Sequence, residues 1–374
     1  MENHIHIIAF DIPSPPNYGG VIDVFYRIKA LHEIGVKIHL HNFVYGSRKE
    51  SKELEKYCEK VFYYPRKKWV FDLMNPYIVS SRSNESLLTN LAKDNAPIFF
   101  EALHSCYFLD HPKLKNRVKM VRMHNIEHDY YKLLAEAEPN IIKKIYFTFE
   151  SILLHRFERK LAHASLIFTI SSKDEAQLKQ SFGAKVKLLP AFHGNSKVES
   201  KLGIGNYCLY HGKLSVAENH QAAMYLVQEV FSKIDIPLII AGDGIQASLQ
   251  QAANAYNHIQ LMEGLNPEEI DDLILNAHIN VLPTFQPTGI KLKLVNVLYK
   301  GRFLVVNKAM VAETGVEEAC IIADNPQKMA DEIKNLMTKS FSAEDLTKRQ
   351  RVLGQQFDVI RNAQSLLAEI NLLP

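Results

Sequence analysis

Short apolar runs of strand length alternate with segments of helical periodicity along almost the whole chain, and this alternation restricts the fold more than any other feature. The predicted strands are Ile5–Phe10, Lys37–Phe43, Val61–Tyr64, Pro97–Glu101, Lys119–Met123, Leu166–Ile170, Lys187–Leu189, Tyr207–His211, Pro237–Ala241, Ile259–Met262, Ile279–Pro283, Phe303–Val306 and Cys320–Ala323. Strands that alternate with helices form βαβ units, and such units build parallel sheets. The sequence therefore predicts an α/β protein.

Residues 190–206 divide this series of strands near its middle. The segment reads PAFHGNSKVESKLGIGN, and its polar character, three glycines and one proline are typical of a linker. A chain of 374 residues also exceeds the usual size of a single core. We predict two doubly wound domains, residues 1–195 and 196–345, followed by a helical tail without a further strand, residues 346–374.

Composition argues against several classes of protein. The formal net charge is +3 and no dense run of lysine and arginine occurs, so we expect no binding to nucleic acid. The four cysteines form no CxxC pair, which is typical of a reducing compartment and argues against a zinc knuckle. We find no signal-peptide pattern in residues 1–13 and no run of about 20 apolar residues, so the sequence predicts a cytoplasmic protein.

The segment 281–306, VLPTFQPTGIKLKLVNVLYKGRFLVV, has the layout of an anion-binding site. A strand runs into a loop with Thr288 and Gly289, and the following helix has Lys291 and Lys293 in its first turns. Unpaired N–H groups and the helix dipole favour an anion there, and glycine allows its close approach. The two lysines diverge on a helix, so we expect Lys293 to bind a diphosphate and Asn296, one turn later, to meet a ribose. The alternative is that both lysines are solvated.

Glycines or lysines also follow the first strand of each predicted domain. Gly19 and Gly20 precede an amphipathic helix, where they can bring N–H groups against a phosphate or a sugar, or can form only a tight turn. The spacing is not GxGxxG, so it does not indicate a dinucleotide fingerprint. In the second domain, Lys213 comes directly after a strand and can reach a phosphate. Glu218 and Asn219 then open a helix, where they can contribute to the site or serve only as its cap.

His124 follows the predicted strand Lys119–Met123, at the edge of a parallel sheet where ligands bind. There its ring would point into a cleft between the domains, where it can bond a sugar hydroxyl or a leaving phosphate. The run His124-x-x-Glu127-His128 also spells the inverse zinc-protease motif. That motif needs both histidines on one helix, whereas a strand runs directly into His124. A purely structural pair of histidines is the remaining interpretation.

Two segments of the first domain are both basic and apolar. They are PRKKWVF, at 65–71, and the helical region 128–163, which contains IIKKIYFTFESILLHRFERKLAH. Basic amphipathic helices can lie on a membrane surface, and Trp and Lys suit the headgroup layer. We weigh peripheral membrane contact against the simpler interpretation of a helix packed in the core.

The order of these motifs resembles that of GT-B glycosyltransferases, most nearly the large retaining family 4 of the bacterial group 1 type. The likeness rests on the Gly19–Gly20 loop, His124-Asn125 after a strand, GKL at 212–214, AGDG at 241–244 and LPT…TGIKLKLVNVL…G in the segment above. It covers nearly the whole chain. It implies two facing Rossmann-like domains with parallel sheets, a nucleotide sugar bound by the second, and a C-terminal helix that crosses back to the first.

The resemblance also implies roles for individual residues. His124 would lie near the reacting sugar, and the loop at Gly19 and Gly20 near phosphate and acceptor. The residues implied for the donor are Lys213, Thr288, Gly289, Ile290, Lys293 and Asn296. The chain departs from the family where Thr288 and Asn296 replace the two glutamates of Glu-x7-Glu, and where Glu218 replaces a lysine of many members.

We therefore predict a retaining glycosyltransferase of surface glycan biosynthesis, which moves a sugar from a nucleotide diphosphate sugar to a saccharide or lipid-linked acceptor. Lysines on the phosphates imply that neither a metal nor another cofactor is required. The alternatives are a non-catalytic sugar-nucleotide-binding relative or partner subunit, suggested by Thr288 and Asn296, and a zinc hydrolase that uses His124, Glu127 and His128.

Overall fold

The computed structural model describes residues 4–68, 72, 74–285 and 292–373. The chain divides into two compact units, the first formed by Met1–Gly194 with Val359–Pro374 and the second by Asn195–Asp358. The predicted third segment begins at residue 346, whereas residues 346–358 lie with the second unit. The physical reason is that Val352, Leu353 and Phe357 are buried in the core of that unit.

The first unit is built on a seven-stranded parallel sheet with the order β3-β2-β1-β4-β5-β6-β7. Its strands are β1 (His4–Ala9), β2 (Lys37–Val44), β3 (Lys60–Pro65), β4 (Ile98–Glu101), β5 (Lys119–Met123), β6 (Leu166–Thr169) and β7 (Val186–Leu188). The strand order reverses between β1 and β4. Ligands of open parallel sheets bind outside the carboxyl ends of the strands at such a reversal.

The second unit contains a six-stranded parallel sheet with the order β10-β9-β8-β11-β12-β13. Its strands are β8 (Cys208–His211), β9 (Leu238–Ala241), β10 (Ile259–Met262), β11 (Ile279–Leu282), β12 (Phe303–Val306) and β13 (Ile321–Ile322). Here the order reverses between β8 and β11. Each predicted strand overlaps an observed one, and the prediction of two parallel-sheet, Rossmann-like domains is confirmed.

Helices connect successive strands in both units. The α-helices of the described residues are α1 (Gly19–Glu33), α2 (Tyr77–Ser80), α3 (Glu85–Leu91), α4 (Glu127–Ala137), α5 (Ile141–Phe157), α6 (Ser172–Phe182), α7 (Ala217–Tyr225), α8 (Ala247–Ala253), α9 (Pro267–Asn276), α10 (Leu292–Lys300), α11 (Lys308–Val311), α12 (Pro326–Leu336), α13 (Ala343–Gln356) and α14 (Val359–Asn371). A π-helical turn, Leu226–Val230, extends α7, and a 3-10 turn, Glu158–His163, extends α5. Within the described part of the chain, no helix is both long and apolar enough to cross a membrane.

The two faces of the first sheet are covered by different helices. Because side chains alternate along a strand, Ile5 and Ile7 of β1 pack on one face with α1 and α14, whereas Ile8 packs on the other face with α3. Ala363 and Leu366 of α14 are fully buried in the core that α1 shares. The last helix of the chain is therefore part of the first unit.

Candidate functional site

Four charged side chains are packed together in the first unit, where the strands reverse their order. Asp23 and Arg27 lie one turn apart on α1, Glu101 ends β4, and Arg122 lies in β5; none is more than 1 % exposed. Arg122 donates to both carboxylate oxygens of Asp23, at 2.7 and 2.8 Å. Arg27 donates to Asp23 at 3.0 Å and forms an ion pair with Glu101. Two guanidinium groups thus balance two carboxylates in the interior.

The surroundings of Asp23 explain why this burial is tolerated. Burial works against the charged form of Asp23, but the charges of Arg122 and Arg27 outweigh it and hold the pKa of the carboxyl well below its usual range. Asp23 also accepts a bond from the backbone N–H of Phe192 at 2.8 Å, and Arg122 donates to the Leu189 carbonyl at 2.9 Å. The network therefore joins α1 and β5 to the chain that follows β7.

His124 lies directly beside this network, in the position after β5 that the sequence predicts. Its Nε2 is 3.1 Å from a carboxylate oxygen of Glu101, and its ring meets the edge of Phe10 with centroids 5.5 Å apart. Burial, helped by the charge of Arg122 and opposed by Asp23, lowers the pKa of His124 to about 3. The ring is therefore neutral near pH 7, and when its Nε2–H donates to Glu101 its Nδ1 is an acceptor.

The glycine loop adjoins His124 through the same aromatic ring. α1 begins at Gly19, and the preceding Tyr18 provides no side-chain cap for its first N–H groups. A Cβ on Gly20 would lie 2.8 Å from the ring of Phe10, which contacts His124, whereas a Cβ on Gly19 would meet nothing within 4 Å. Gly20 thus permits close packing, and the first turn of α1 keeps uncapped donors.

The structure does not bring the two histidines of the HxxEH run together as possible ligands of one metal ion. Glu127 is the first residue of α4, so His124 precedes the helix and His128 lies on it. His128 Nδ1 is 2.8 Å from Glu158, whereas Glu127 is 3.3 Å from the ring of His104. The two histidines fall in separate clusters of metal-ligating side chains.

The cluster that includes His124 has a donor set unsuited to a cation. Its other members, Asp23 and Glu101, are already paired with the guanidinium groups of Arg122 and Arg27. A divalent ion bound there would lie against two positive charges without solvent to screen them. The residues present therefore do not fit a catalytic zinc ion at His124.

In the second unit, Asn219 of α7 joins two of the predicted donor-binding residues. Its side-chain oxygen accepts a bond from the Lys293 ammonium group at 2.9 Å, and its amide donates to the backbone carbonyl of Lys213 at 3.0 Å. Lys293 Nζ also lies 5.1 Å from the centroid of the Tyr210 ring. Burial, with the charge of Lys293, lowers the pKa of His211 to about 3, so the His211 ring is neutral near pH 7. Lys293 is thus held in place, and the Lys213 side chain is exposed.

The AGDG turn packs against the loop that carries Lys213. A Cβ on Gly242 would lie 1.9 Å from the carbonyl oxygen of Gly212, and the φ of Gly242 is 148°. A Cβ on Gly244, whose φ is 83°, would lie 2.5 Å from Ser215. Glycine at both positions lets the turn after β9 support the turn after β8.

Glu218 and Asn296 are engaged with residues of their own unit. Glu218 accepts a hydrogen bond from the hydroxyl of Thr284, directly beyond the end of β11. The amide of Asn296 donates to Asp271 of α9 at 3.1 Å, and Asp271 also pairs with Lys300. Asn296 therefore links α10 to α9 in this structure. The other predicted donor-binding residues, Thr288, Gly289 and Ile290, lie outside the described residues.

Comparisons with known proteins indicate which family and which fold this chain resembles. Residues 205–339 match the model of the family described as glycosyl transferases group 1. An uncharacterized 44.6 kDa protein in the cps region of Klebsiella pneumoniae is 28 % identical over 358 residues, which cover 88 % of this chain and 90 % of that protein. Among solved structures, HepE of Anabaena in complex with UDP-glucose aligns with a TM-score of 0.67 at 12 % identity, over 99 % of this chain and 100 % of that one.

A glycosyltransferase from Rickettsia africae ESF-5 aligns with a TM-score of 0.66 at 13 % identity, and the alignment covers 100 % of both chains. The chain has a GT-B fold and resembles group 1 glycosyltransferases. In this GT-B chain, the family match falls on the unit that contains Lys213, Asn219 and Lys293. The described part of the predicted anion site therefore lies in the matched region.

Several residues of the GT-B units were missed by sequence reasoning. They are Asp23, Arg27, Glu101 and Arg122 in the first unit, and Tyr210 and Thr284 in the second. Two signals were present: Asp23 and Arg27 are spaced i, i+4 on the apolar face of a predicted helix, and Arg122 stands inside a predicted buried strand. Charges in such positions are rarely buried unless they are paired, so each predicted a partner but not its identity.

Proposed function

We propose that this GT-B chain is a retaining glycosyltransferase that moves a sugar from a nucleotide diphosphate sugar to a saccharide or lipid-linked acceptor in surface glycan biosynthesis. The family match at 205–339 supports the transferase class. The relative in a cps region supports a role in polysaccharide synthesis. The HepE structures that hold UDP and UDP-glucose support the class of donor.

The observation that carries the proposal is the position of Lys293 in the second unit. Its ammonium group is bound to Asn219, which also bonds to Lys213, at the carboxyl end of β8 beside the reversal of strand order. A diphosphate leaving group gains negative charge as the glycosidic bond breaks. A lysine fixed in advance stabilises that charge without reorganisation, which is the usual basis of electrostatic catalysis.

We further propose that the two lysines replace a metal ion as the counter-charge of the diphosphate. Lys293 would act from its fixed position and the exposed Lys213 would fold onto the phosphates. Neutral His124, in the first unit, would accept a hydrogen bond from a substrate hydroxyl at Nδ1, because its Nε2 is directed at Glu101. No step of this scheme needs the doubly protonated, imidazolium form of His124.

The test is a panel of nucleotide diphosphate sugars, with nucleotide release and equilibrium binding as the two measurements. Lys293→Ala removes a charge-assisted contact worth about 1.5–3 kcal/mol, so diphosphate binding should weaken by at least about tenfold. The matched control is Lys334→Ala, an exposed lysine on α12 of the same unit, which should bind like the wild type. Unchanged binding in the Lys293 variant would refute the proposed site.

A second candidate function is a sugar-nucleotide-binding protein without transferase activity. The bond from Asn296 to Asp271 favours it, because this uncharged side chain stands where the family has a glutamate and is already engaged. Tight binding of a nucleotide sugar, without release of nucleotide in the presence of lipid or saccharide acceptors, would decide for this candidate. Turnover with any donor and acceptor decides against it.

We also propose that the first unit contacts the inner, anionic surface of the cytoplasmic membrane. α5 presents a solvent-exposed apolar stripe along one side, formed by Ile141, Ile142, Ile145, Tyr146, Phe149 and Ile152, with exposures of 42–75 %. The neighbouring Lys143 and Lys144 are exposed as well. Apolar side chains flanked by lysines suit an interface with anionic lipid.

The second basic segment, 65–71, is described only as far as residue 68, and Trp69 lies outside the described residues. The Arg66 guanidinium stacks on the rings of Tyr45 and Tyr77, at 4.4 and 5.2 Å from their centroids. The backbone N–H of Tyr77 donates to Glu150 of α5 at 2.9 Å, so the ring on which Arg66 stacks is tied to that helix. Aromatic rings and cations of this kind are enriched at the headgroup layer of membranes.

Vesicle sedimentation tests the contact. The wild type should bind vesicles with phosphatidylglycerol and lose binding in pure phosphatidylcholine or at high salt. Ile142→Asp with Ile145→Asp should abolish binding. Leu202→Asp, at a 52 % exposed leucine of the second unit, is the control and should leave binding intact. Equal sedimentation of both variants would exclude α5 as the contact.

A further inference from the structure

The first sheet contains a cluster of histidines away from the candidate site. β1 begins with His4 and His6, and β2 contains His39 and His41, with His6 and His39 paired in register. Because side chains alternate between the faces of a strand, all four rings lie on the same face, the one that α3 covers. The cluster occupies the amino-terminal half of β1, whereas His124 follows the carboxyl end of β5.

We propose that His4, His6, His39 and Asp94 form a binding site for a divalent transition-metal ion of the Zn²⁺ class. One ligand atom from each residue lies within 4.8 Å of the others. Three imidazole nitrogens and one carboxylate oxygen form a donor set that suits Zn²⁺, which is usually bound by four ligands at about 2.0–2.2 Å in tetrahedral geometry.

Two buried nitrogen atoms support the proposal directly. The Nε2 atoms of His4 and His39 are inaccessible to solvent, and neither has a hydrogen-bond partner among the residues that the structure describes. His39 is only 6 % exposed, and its ring centroid is 3.9 Å from that of His4. A buried polar atom without a partner is costly, and a shared metal ion would satisfy both atoms at once.

His6, the third histidine of the proposed site, is oriented by hydrogen bonds to neighbouring side chains. His6 Nε2 is 2.9 Å from Asp94, and its Nδ1 is 2.8 Å from Nε2 of His41. His41 Nδ1 is in turn 2.9 Å from the hydroxyl of Tyr64. Metal-bound histidines almost always donate their second ring N–H to such an acceptor. With the ion on His6 Nε2, the Nδ1–H of His6 would donate to His41.

The carboxylate of Asp94 is also held in place. Its Oδ1 accepts from the N–H of Ala96 at 3.0 Å and from Arg117 at 3.3 Å. Arg117 directs its closest donors at backbone carbonyls, including those of Leu91 and Asp94 at 2.6 Å. The Oδ2 atom, 3.0 Å from His6, is therefore the better placed ligand for an ion.

The role that follows is structural. An ion at this position would tie β1 to β2 and both strands to the segment after α3, at the end of the sheet opposite His124. Its removal should lower the stability of the first unit and leave donor binding by the second unit unchanged. The metal site is thus independent of the proposed transferase activity, and either proposal can fail alone.

The experiment uses untagged full-length protein, stripped with a chelator and titrated with Zn²⁺ in a calorimeter. We expect one ion per chain and a rise in melting temperature on binding. His39→Ala and Asp94→Asn should each weaken binding by at least about tenfold. Two controls should bind like the wild type: His32→Ala, an exposed histidine of α1, and His155→Ala, which removes a ligand of the separate His128–His155–Glu158 cluster.

Two results of the titration would overturn the proposal: no saturable Zn²⁺ binding by the wild type, or binding that only His155→Ala removes. A readout on the unmodified protein guards against variants that fail to fold. In ¹⁵N NMR spectra, Zn²⁺ should shift the ring nitrogens of His4, His6 and His39 and leave that of His32 in place. Shifts confined to other histidines would count against the site as strongly as an absence of binding.

Discussion

Asp23 and Arg122, 99 residues apart in the sequence, are joined by two N–H···O bonds of 2.7 and 2.8 Å inside the first unit. Bidentate pairs of this kind are stronger and more directional than single bonds. The pair fixes α1 against β5 and so determines where His124, two residues beyond Arg122, is held.

Replacing one partner of this pair should strongly lower the stability of the protein. Asp23→Asn leaves the buried guanidinium of Arg122 without its counter-charge, and we expect a loss of about 3–5 kcal/mol in the free energy of unfolding. Urea unfolding followed by circular dichroism measures it. Asp235→Asn, at a side chain 96 % exposed, is the control and should change stability by less than about 0.5 kcal/mol. A loss below about 1 kcal/mol in the Asp23 variant would mean that the pair is not buried in solution.

His124 should make the protein sensitive to acid. Its pKa is about 3 in the folded state and about 6.5 when unfolded, so between these values the unfolded chain binds one more proton. The stability tied to the neutral ring is complete above about pH 6.5 and falls as pH decreases, by up to about 1.4 kcal/mol per pH unit. His124→Gln should flatten the dependence of stability on pH between 4 and 6.5, and His32→Gln should not. If stability depends on pH in the same way in the wild type and in His124→Gln, the low pKa does not belong to His124.

His128 should show the opposite dependence. Its hydrogen bond to Glu158 raises the pKa of the ring despite partial burial. A raised folded pKa gives stability that is complete below about pH 6.5 and is lost as pH rises through the folded pKa. The difference in melting temperature between the wild type and His128→Gln should therefore be larger at pH 6 than at pH 9. If the difference in melting temperature is the same at pH 6 and at pH 9, the ring of His128 is not charged in the folded protein.

The elements of this fold could be predicted because they depend on local pattern. The run from Phe303 to Val306 is apolar throughout, as expected for a strand buried on both faces of a parallel sheet. The position of His124 after β5 followed from the same pattern. Parallel sheets place such residues at one edge, so the sequence located it without knowledge of its partners.

The partners themselves could not be predicted, because they are distant in sequence. Nothing in the neighbourhood of Asp23 indicates Arg122, and nothing near Lys293 indicates Asn219. The histidines of β1 and β2 showed a period of two, yet only the register of the two strands brings them together. The local sequence of Asn219 fits a helix cap as well as a site residue, and its bonds to Lys213 and Lys293 depend on how α7 and α10 pack.

Gly242 should be intolerant of any side chain. A Cβ there would lie 1.9 Å from the carbonyl oxygen of Gly212, so Gly242→Ala must displace the loop that carries Lys213. We expect a loss of stability of about 1–3 kcal/mol together with weaker nucleotide binding. Gly264→Ala is the matched control, since Gly264 also has a positive φ, 75°, but open space around its Cβ position. If both variants bind nucleotide equally, the AGDG turn does not support the site.

We expect the C-terminal helix, α14, to stabilise the first unit. Leu366 of α14 is fully buried in the core shared with α1, whereas Leu372, six residues later, is 80 % exposed. Leu366→Ala should cost about 2–5 kcal/mol, and Leu372→Ala should cost little, because only the first leaves a cavity. Hydrogen–deuterium exchange measures the effect by unit: peptides of α1 should exchange faster in the Leu366 variant, and peptides of α10 should be unchanged. Faster exchange in α10 instead would assign α14 to the second unit and contradict the fold described above.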